Sequence, residues 1–270
     1  MHLGISSYTY TWAVGLPGHA PSAPLTAVGL LEKAADLGVR VVQVADNLPL
    51  HRLLPQELDE LAGRARGLGI AIEVGTRGIG REHLSAYLRL CERLESPILR
   101  VVVDTADHHP SDEEIVSTLR TLTRDFARAD VRLAIENHDH FRAADLARIV
   151  RRVRSRHVRV CLDVGNSLGA LEGPEVVVKT LAPLAVNLHV KDFVVRRVSH
   201  QMGFIVEGRP AGQGQLDIPW VLERIRNAGR DPNAILEQWT PPEADLAHTI
   251  AKEAEWAAAS VGYLRRLIPA

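Results

Sequence analysis

The chain has 270 residues, 46% of them hydrophobic and 24% charged, so it is long enough to bury a large apolar core. Its 32 basic and 33 acidic side chains leave a net charge of -1. Without a basic excess, neither nucleic acid nor an anionic membrane is expected as a partner. Arginine does crowd between Arg148 and Arg159, but its spacing is that of the solvated face of a helix.

The N-terminus and the cysteines favour a cytoplasmic protein. Residues 1–4 have neither the basic segment nor the long apolar segment of a signal peptide. Cys91 and Cys161 each lie in an apolar run, which favours buried free thiols in a reducing compartment over a disulfide. No apolar run reaches the length of a membrane-spanning helix. The chain is therefore predicted to be cytoplasmic, without a membrane segment.

Short apolar runs alternate with amphipathic segments of helical length from one end of the chain to the other. The helix ends are marked: Gly38 and Gly69 stand where C-cap glycines belong, and Pro55 stands where a helix begins. Ser111 starts another helix, with Glu114 at capping-box spacing. The predicted strands are residues 3–8, 39–44, 70–74, 98–103, 132–136, 158–163, 186–190 and 234–237.

Eight strand–helix units in this length predict one domain over residues 1–270, folded as a closed (β/α)8 TIM barrel. A doubly wound open sheet is the alternative, but no Gly-x-Gly-x-x-Gly motif follows the first strand. Residues 196–214 are too many for an ordinary strand–helix loop. They contain Phe204 to Glu207, which fit a short hairpin, and then the glycine-rich residues 208–214. Long loops of this kind on the active face usually cover a site or contact its ligand.

Four of the predicted strands end in a side chain that can bind a cation. Glu136, Asp163, His189 and Glu237 close strands five to eight, and in a barrel these ends share one mouth. Three carboxylates cannot lie close together in the ionised state without a counter-charge, so a divalent cation is expected. Oxygen-rich ligation with one imidazole suits Mn²⁺, Mg²⁺, Co²⁺ or Fe²⁺ better than a structural Zn²⁺. The alternative interpretation is four independent polar residues at the barrel rim.

The segments that carry these residues resemble a known family. Ala134 to Asn137, Leu162 to Asn166, Leu188 to Asp192 and Leu236-Glu237 resemble the sugar phosphate isomerase/epimerase superfamily, with its xylose isomerase-like TIM barrel, and Gly208 to Asp217 resembles its loop after strand seven. The match covers strands five to eight. The first half of the chain matches only in its alternation of strands and helices and in an opening Gly-Ile-Ser. The resemblance implies a divalent metal held by the residues that close strands five to eight, namely Glu136, Asp163, His189 and Glu237.

In the ketose epimerases of this superfamily two glutamates also act as base and acid, which implies catalytic roles for Glu136 and Glu237. The metal then stabilises an enediolate as the proton next to a carbonyl leaves. The leading prediction is therefore an isomerase or epimerase of a sugar or related polyhydroxy carbonyl compound. Many members carry a histidine where Asn166 stands, and asparagine cannot carry a proton at neutral pH. A metal-dependent dehydratase or lyase on a keto-sugar or keto-cyclitol is the alternative, and a non-catalytic sugar- or partner-binding barrel is a third hypothesis.

Several polar side chains near the predicted mouth are expected to contact a small carbohydrate-like substrate. Asn166 can bond a hydroxyl, and strand alternation points Lys191 the same way as His189. Arg209 of the glycine-rich loop can bind a hydroxyl, carboxylate or phosphate, although a solvated loop arginine is the alternative. His138 can supply an acid for a lyase, although as a loop residue it is more simply solvent-facing.

Trp12 and Trp239 are far apart in sequence but neighbours in a closed barrel. They are predicted either to form an apolar wall against a sugar ring or to pack at the rim.

Further polar contacts are predicted at the ends of strands two and three. A homo-oligomer, dimer or tetramer, is compatible with the resemblance. The superfamily's DNA-repair endonuclease branch fits poorly, because a multi-zinc cluster needs more histidines at strand ends than His189. The residues concerned at strands two and three are Gln43, Asp46, Asn47 and Arg77.

Overall fold

The computed structural model describes residues 1–139 and 141–269. Its parallel strands close into a barrel in the order β1-β10-β7-β6-β5-β4-β3-β2, which confirms the predicted (β/α)8 fold. Each predicted barrel strand overlaps an observed one, with ends that differ by a few residues. The barrel strands are β1 Leu3–Ser6, β2 Val41–Val44, β3 Ala71–Arg77, β4 Ile98–Val102, β5 Arg132–Glu136, β6 Val158–Asp163, β7 Ala185–Val190 and β10 Asn233–Leu236.

The helices pack around the barrel with their apolar faces inward. Gly38 and Gly69 end their helices in the left-handed region, each with φ of 65°, as the sequence predicts. The hydroxyl of Ser111 accepts the N–H of Glu114 and caps another helix. In the described part of the chain, no helix has the length and apolar composition needed to cross a membrane. The helices are α1 Thr11–Val14, α2 Ala27–Leu37, α3 Pro55–Leu68, α4 Arg81–Arg93, α5 Asp112–Arg128, α6 Ala143–Val153, α7 Pro174–Leu181, α8 Ile218–Asn227 and α9 Leu246–Leu264.

The main core lies between the barrel and this ring of helices. It is built from the outward-facing residues of the strands, such as Leu99 and Ile135, and the inward-facing residues of the helices, such as Leu119. Cys91 and Cys161 are both buried and free, as predicted. Burial raises the pKa of the Cys161 thiol to about 12, so it stays a protonated, unreactive side chain.

A two-stranded hairpin rises from the end of β7. Its antiparallel strands are β8 Asp192–Arg197 and β9 Phe204–Arg209, longer than the short hairpin expected within residues 196–214. Asp192 is buried, and its carboxylate accepts the N–H groups of Gly212, Gly214 and Leu216. The sequence leaves this residue out of the site, but the structure makes it the anchor of the glycine-rich loop.

The glycines of this segment allow close approach to the barrel. A Cβ at Gly208 would lie 2.0 Å from the backbone oxygen of Trp239, and one at Gly214 would lie 2.1 Å from Oδ1 of Asp192. Neither position therefore has room for a side chain. The base of the hairpin is packed directly on Trp239 at the mouth of the barrel.

Replacing Gly208 by alanine should therefore destabilise the protein by about 1–3 kcal/mol, because backbone atoms of Trp239 must move to admit the Cβ. Urea unfolding measures this change. Gly63→Ala is the matched control: Gly63 lies in α3 with open space around its Cα, so alanine should stabilise the helix by about 0.5–1 kcal/mol. Equal stabilities of the two variants would contradict the packing described here.

Candidate metal centre

The side chains predicted to bind a cation meet inside the mouth of the barrel. Nδ1 of His189 lies 3.4 Å from Oε2 of Glu136, 3.6 Å from Oδ2 of Asp163 and 3.3 Å from Oε1 of Glu237. None of the four is more than 4% exposed. Asp163 stands beside His189 in the register of β6 and β7, which is why these two strand ends deliver their side chains to one place.

Three atoms of this cluster have no hydrogen-bond partner among the described residues: Oδ2 of Asp163, Nδ1 of His189 and Oε1 of Glu237. They lie within 4.8 Å of one another. Buried polar atoms without partners are costly, and three that converge are explained by a shared ligand. One imidazole nitrogen with carboxylate oxygens fits a divalent cation.

The other nitrogen of His189 fixes the direction of Nδ1. Nε2 lies 2.7 Å from Oε1 of Gln43, whose amide nitrogen donates to Glu73 and Asn187. Since that oxygen only accepts, Nε2 carries the hydrogen and leaves the lone pair on Nδ1 to face the carboxylates. Gln43 thus supports the histidine from below the cluster, and its contact with substrate stays a prediction.

The pKa of His189 also indicates that the cluster favours a positive charge at this position. Burial acts to lower the pKa of His189, but the negative charges of Glu237 and Glu136 raise it well above its ordinary value. The carboxylates therefore favour a cation at Nδ1, which can be either a proton or a metal ion.

Lys191 lies among the carboxylates. Its Nζ is 2.8 Å from Oδ2 of Asp163 and 2.8 Å from Oε2 of Glu237, although the contact with Asp163 is not aligned as a hydrogen bond. It also lies 5.2 Å from the ring centroid of Trp239 and donates to Asn166 at 3.3 Å. Burial opposes its charge, but Asp163 and Glu237 raise the pKa of Lys191 above its ordinary range. The ammonium is therefore retained.

Arg100 is a member of this site that the sequence did not reveal. It is 2% exposed and its Nε donates to Oε2 of Glu136, while Nη1 donates to Oδ1 of Asp46 at 2.5 Å. Asn166 donates to the other oxygen of Glu136 at 2.7 Å. Both oxygens of Glu136 are therefore engaged by protein donors, whereas Oε1 of Glu237 is not.

Asp46 holds Arg100 in place. Its Oδ2 accepts from Arg77 at 3.2 Å and from the hydroxyl of Tyr8 at 3.1 Å. Burial would raise the pKa of Asp46, but the guanidinium groups of Arg100 and Arg77 lower it to about 2. Asp46 and Arg77, both predicted as substrate contacts, thus form a charged row with Arg100. Asn47 accepts from the hydroxyl of Ser7 at 2.5 Å.

Two other predicted contacts lie apart from the cluster. Nδ1 of His138 is 3.1 Å from the carboxylate of its neighbour Asp139, in the loop after β5. Arg209 donates to Glu207 at 2.7 Å within the hairpin. Both side chains are partly exposed and have local partners, and their contacts with substrate stay predictions.

Trp12 and Trp239 come together as predicted. They line one cavity of about 390 Å³ beside the mouth, with Val206 of the hairpin on another side. The indole N–H of Trp12 donates to the backbone oxygen of Thr240 at 2.8 Å. The two rings therefore form an apolar wall that the hairpin extends.

A family model described as xylose isomerase-like TIM barrel matches residues 31–267. The 3-oxo-isoapionate decarboxylase of Pectobacterium atrosepticum is 34% identical over 98% of this chain and 95% of that protein. Among solved structures, D-psicose 3-epimerase from Clostridium cellulolyticum H10 gives a TM-score of 0.75 at 15% identity, with both chains covered completely. A Mycobacterium smegmatis barrel protein in complex with magnesium gives 0.70 at 14% identity over 97% of each chain. The structural matches show the fold.

Glu253 of α9 fixes the segment that carries Trp12. The carboxylate is fully buried and accepts the backbone N–H groups of Trp12 at 2.9 Å and Ala13 at 3.0 Å. Burial raises the pKa of Glu253 to about 7, against the opposite effect of these donors. Nearby Tyr10 has its pKa raised to about 12 by burial and by Glu253, so it does not titrate in the same range.

The stability of the protein should therefore depend on pH through Glu253. Its pKa is higher in the folded chain than the ordinary 4.5, so its contribution is full below pH 4.5 and is lost as the pH rises through about 7. The loss amounts to about 3 kcal/mol at the upper limit. Urea unfolding across this range should show a decline in wild type that is smaller by this amount in Glu253→Gln. The exposed Glu255→Gln serves as control and should follow wild type; identical pH profiles for all three would contradict the assignment.

Proposed function

The chain belongs to the xylose isomerase-like TIM barrel family, and on this premise we propose that it is a metal-dependent decarboxylase of a sugar-derived 3-oxo acid. The observation that carries the proposal is the engagement of both Glu136 oxygens by Arg100 and Asn166. The similarity to the 3-oxo-isoapionate decarboxylase over almost the whole chain supports the choice of substrate class.

Asp163, His189 and Glu237 would hold the metal through their unpartnered atoms. Glu136 would be the fourth ligand, with its orientation set by the donors on its two oxygens. The donor set favours Mn²⁺, Mg²⁺, Co²⁺ or Fe²⁺ over Zn²⁺. When bound, the ion supplies Lewis-acid stabilisation of negative charge on a ketone oxygen of the substrate.

The state of Glu136 favours decarboxylation over epimerisation. An epimerase that works with two carboxylates needs a base on one face of the substrate and an acid on the other. Here one of the two glutamates is committed to Arg100, and Asn166 cannot carry a proton. Loss of CO₂ needs no base at carbon; it needs an electron sink and a proton donor for the product.

In the proposed reaction, the bond between the carboxylate carbon and its neighbour breaks. The electron pair passes towards the 3-oxo oxygen and gives an enolate, and CO₂ leaves. Lys191 then gives a proton from Nζ to the carbon that carried the carboxylate, and water restores that proton. An enolate carbon is a far stronger base than an amine, so even an ammonium held by Asp163 and Glu237 can donate to it. The wall of Trp12 and Trp239 would shield the enolate from solvent on one side.

An isomerase or epimerase is the second candidate. It is favoured by Glu237, whose Oε1 has no hydrogen-bond partner in the described part of the chain and can accept a proton. In that case Glu136 would have to leave Arg100 in order to act as the second acid–base group. A non-catalytic barrel is the least supported hypothesis, because it does not explain why potential metal-binding atoms without hydrogen-bond partners converge at the mouth.

The test is an assay of metal-loaded protein with 3-oxo-isoapionate and, separately, with D-psicose and D-fructose in deuterated water. The proposal expects release of CO₂ and a ketose one carbon shorter from the acid. It expects no carbon-bound deuterium in the two ketoses. Deuterium incorporation without CO₂ release would contradict it and favour the second candidate.

The role of Lys191 is tested by Lys191→Met, which should reduce the rate of CO₂ release by ~10²-fold, the usual scale for losing a general acid. The matched control is Lys179→Met, because Lys179 is exposed and pairs with Glu175 on α7. It should keep the wild-type rate. CO₂ release by metal-loaded Lys191→Met within a few-fold of wild type would remove Lys191 from the mechanism.

A further inference from the structure

The arginine run between Arg148 and Arg159 divides into two groups in the structure. Arg148 and Arg152 lie on the outer face of α6 and pair with Asp112 and Glu113 of α5, as a solvated helix face should. Arg159 belongs instead to β6. It stands near the amino-terminal end of that strand, at the end of the barrel opposite to the metal centre.

Two further arginines share this end of the barrel with Arg159. Arg132 is the first residue of β5, and Ala134 of the same strand pairs with Arg159, so Arg132 and Arg159 project from the same face of neighbouring strands. Arg230 lies just before β10. Burial and the charges of Arg230 and Arg132 lower the pKa of Arg159.

None of these three guanidinium groups pairs with a carboxylate within residues 1–139 and 141–269. Nη1 of Arg159 donates to the backbone oxygens of Ser155 and Val158, and Nε of Arg230 donates to that of Pro183. A carboxylate does lie nearby, on Asp231. It lies 2.7 Å from the backbone nitrogen of Met1, and its side chain is 75% exposed.

A cavity of about 310 Å³ lies beside these groups, and Arg132, Arg230 and Asp231 line it, whereas Arg159 stands outside the lining. Arg132 and Arg230 line it together with the amide side chain of Asn233, and Ile98 and Val186 supply apolar wall. The cavity therefore combines two guanidinium groups, one carboxylate and one amide with an apolar wall, and it is separate from the mouth that holds the metal centre.

We propose that this cavity is a binding site for a small phosphorylated molecule, recognised through its phosphate by Arg132 and Arg230, with the positive charge of Arg159 beside them. Like charges held close together are costly, and an anion bound among them reduces that cost. Guanidinium groups match phosphate in two-pronged hydrogen bonds, which makes phosphate a better occupant than chloride. The apolar wall would contact the carbon skeleton of the ligand.

The site is tested by thermal unfolding with inorganic phosphate as the probe and sodium chloride at equal ionic strength as the reference. Wild type should unfold about 2–4 °C higher in phosphate than in chloride. Arg159→Gln and Arg132→Gln should lose most of that increment. In chloride, Arg159→Gln should unfold no lower than wild type, because the substitution relieves repulsion.

Arg148→Gln is the matched control, since it removes one positive charge from a surface pair on the same part of the chain. It should keep the full phosphate increment. Two results would overturn the proposal: no increment in wild type beyond chloride, or an equal increment in wild type, Arg132→Gln and Arg159→Gln. The second result would mean that phosphate binds at another site, for example the metal centre. Because Arg132 is exposed, its substitution leaves a folded protein for the measurement.

Discussion

The structure depends on the placement of Glu136, Asp163 and Glu237 around the single imidazole of His189, all inside the mouth of the barrel. Buried like charges are tolerated only with compensating cations. Arg100 supplies one such charge to Glu136, and the ammonium that contacts Asp163 and Glu237 supplies another. Even so, three converging atoms keep no hydrogen-bond partner among the described residues, so the protein compensates the cluster only in part.

The surrounding layers hold this arrangement from three sides. Gln43 orients His189 from below, and Asp46 holds Arg100 from the side. Above the mouth, Asp192 gathers the glycine-rich loop and Glu253 fixes the segment of Trp12. Each uses a carboxylate or amide to satisfy groups that would otherwise be buried without partners. Most polar side chains named at the mouth are thus hydrogen-bonded to other residues of the protein. Few of them remain available to bind a substrate.

The sequence predicted the barrel and the convergence of Glu136, Asp163, His189 and Glu237, because strand periodicity and barrel closure bring strand ends together whatever the details of packing. It did not reveal Arg100, because an arginine inside an apolar strand shows its role only when its acidic partners are located. Glu253 was missed for a related reason: it bonds backbone groups 240 residues earlier in the chain. Contacts of this range leave no local pattern.

The most direct test of the central claim is a crystal structure of the protein grown with Mn²⁺, with the ion located by its anomalous scattering. The account predicts one strong peak within about 2.0–2.3 Å of Oδ2 of Asp163, Nδ1 of His189 and Oε1 of Glu237, the range of metal–nitrogen and metal–oxygen bonds. It also predicts that Lys191 moves away from at least one of its two carboxylates. A map with no peak at these three atoms, and with Lys191 still bridging Asp163 and Glu237, would contradict the account.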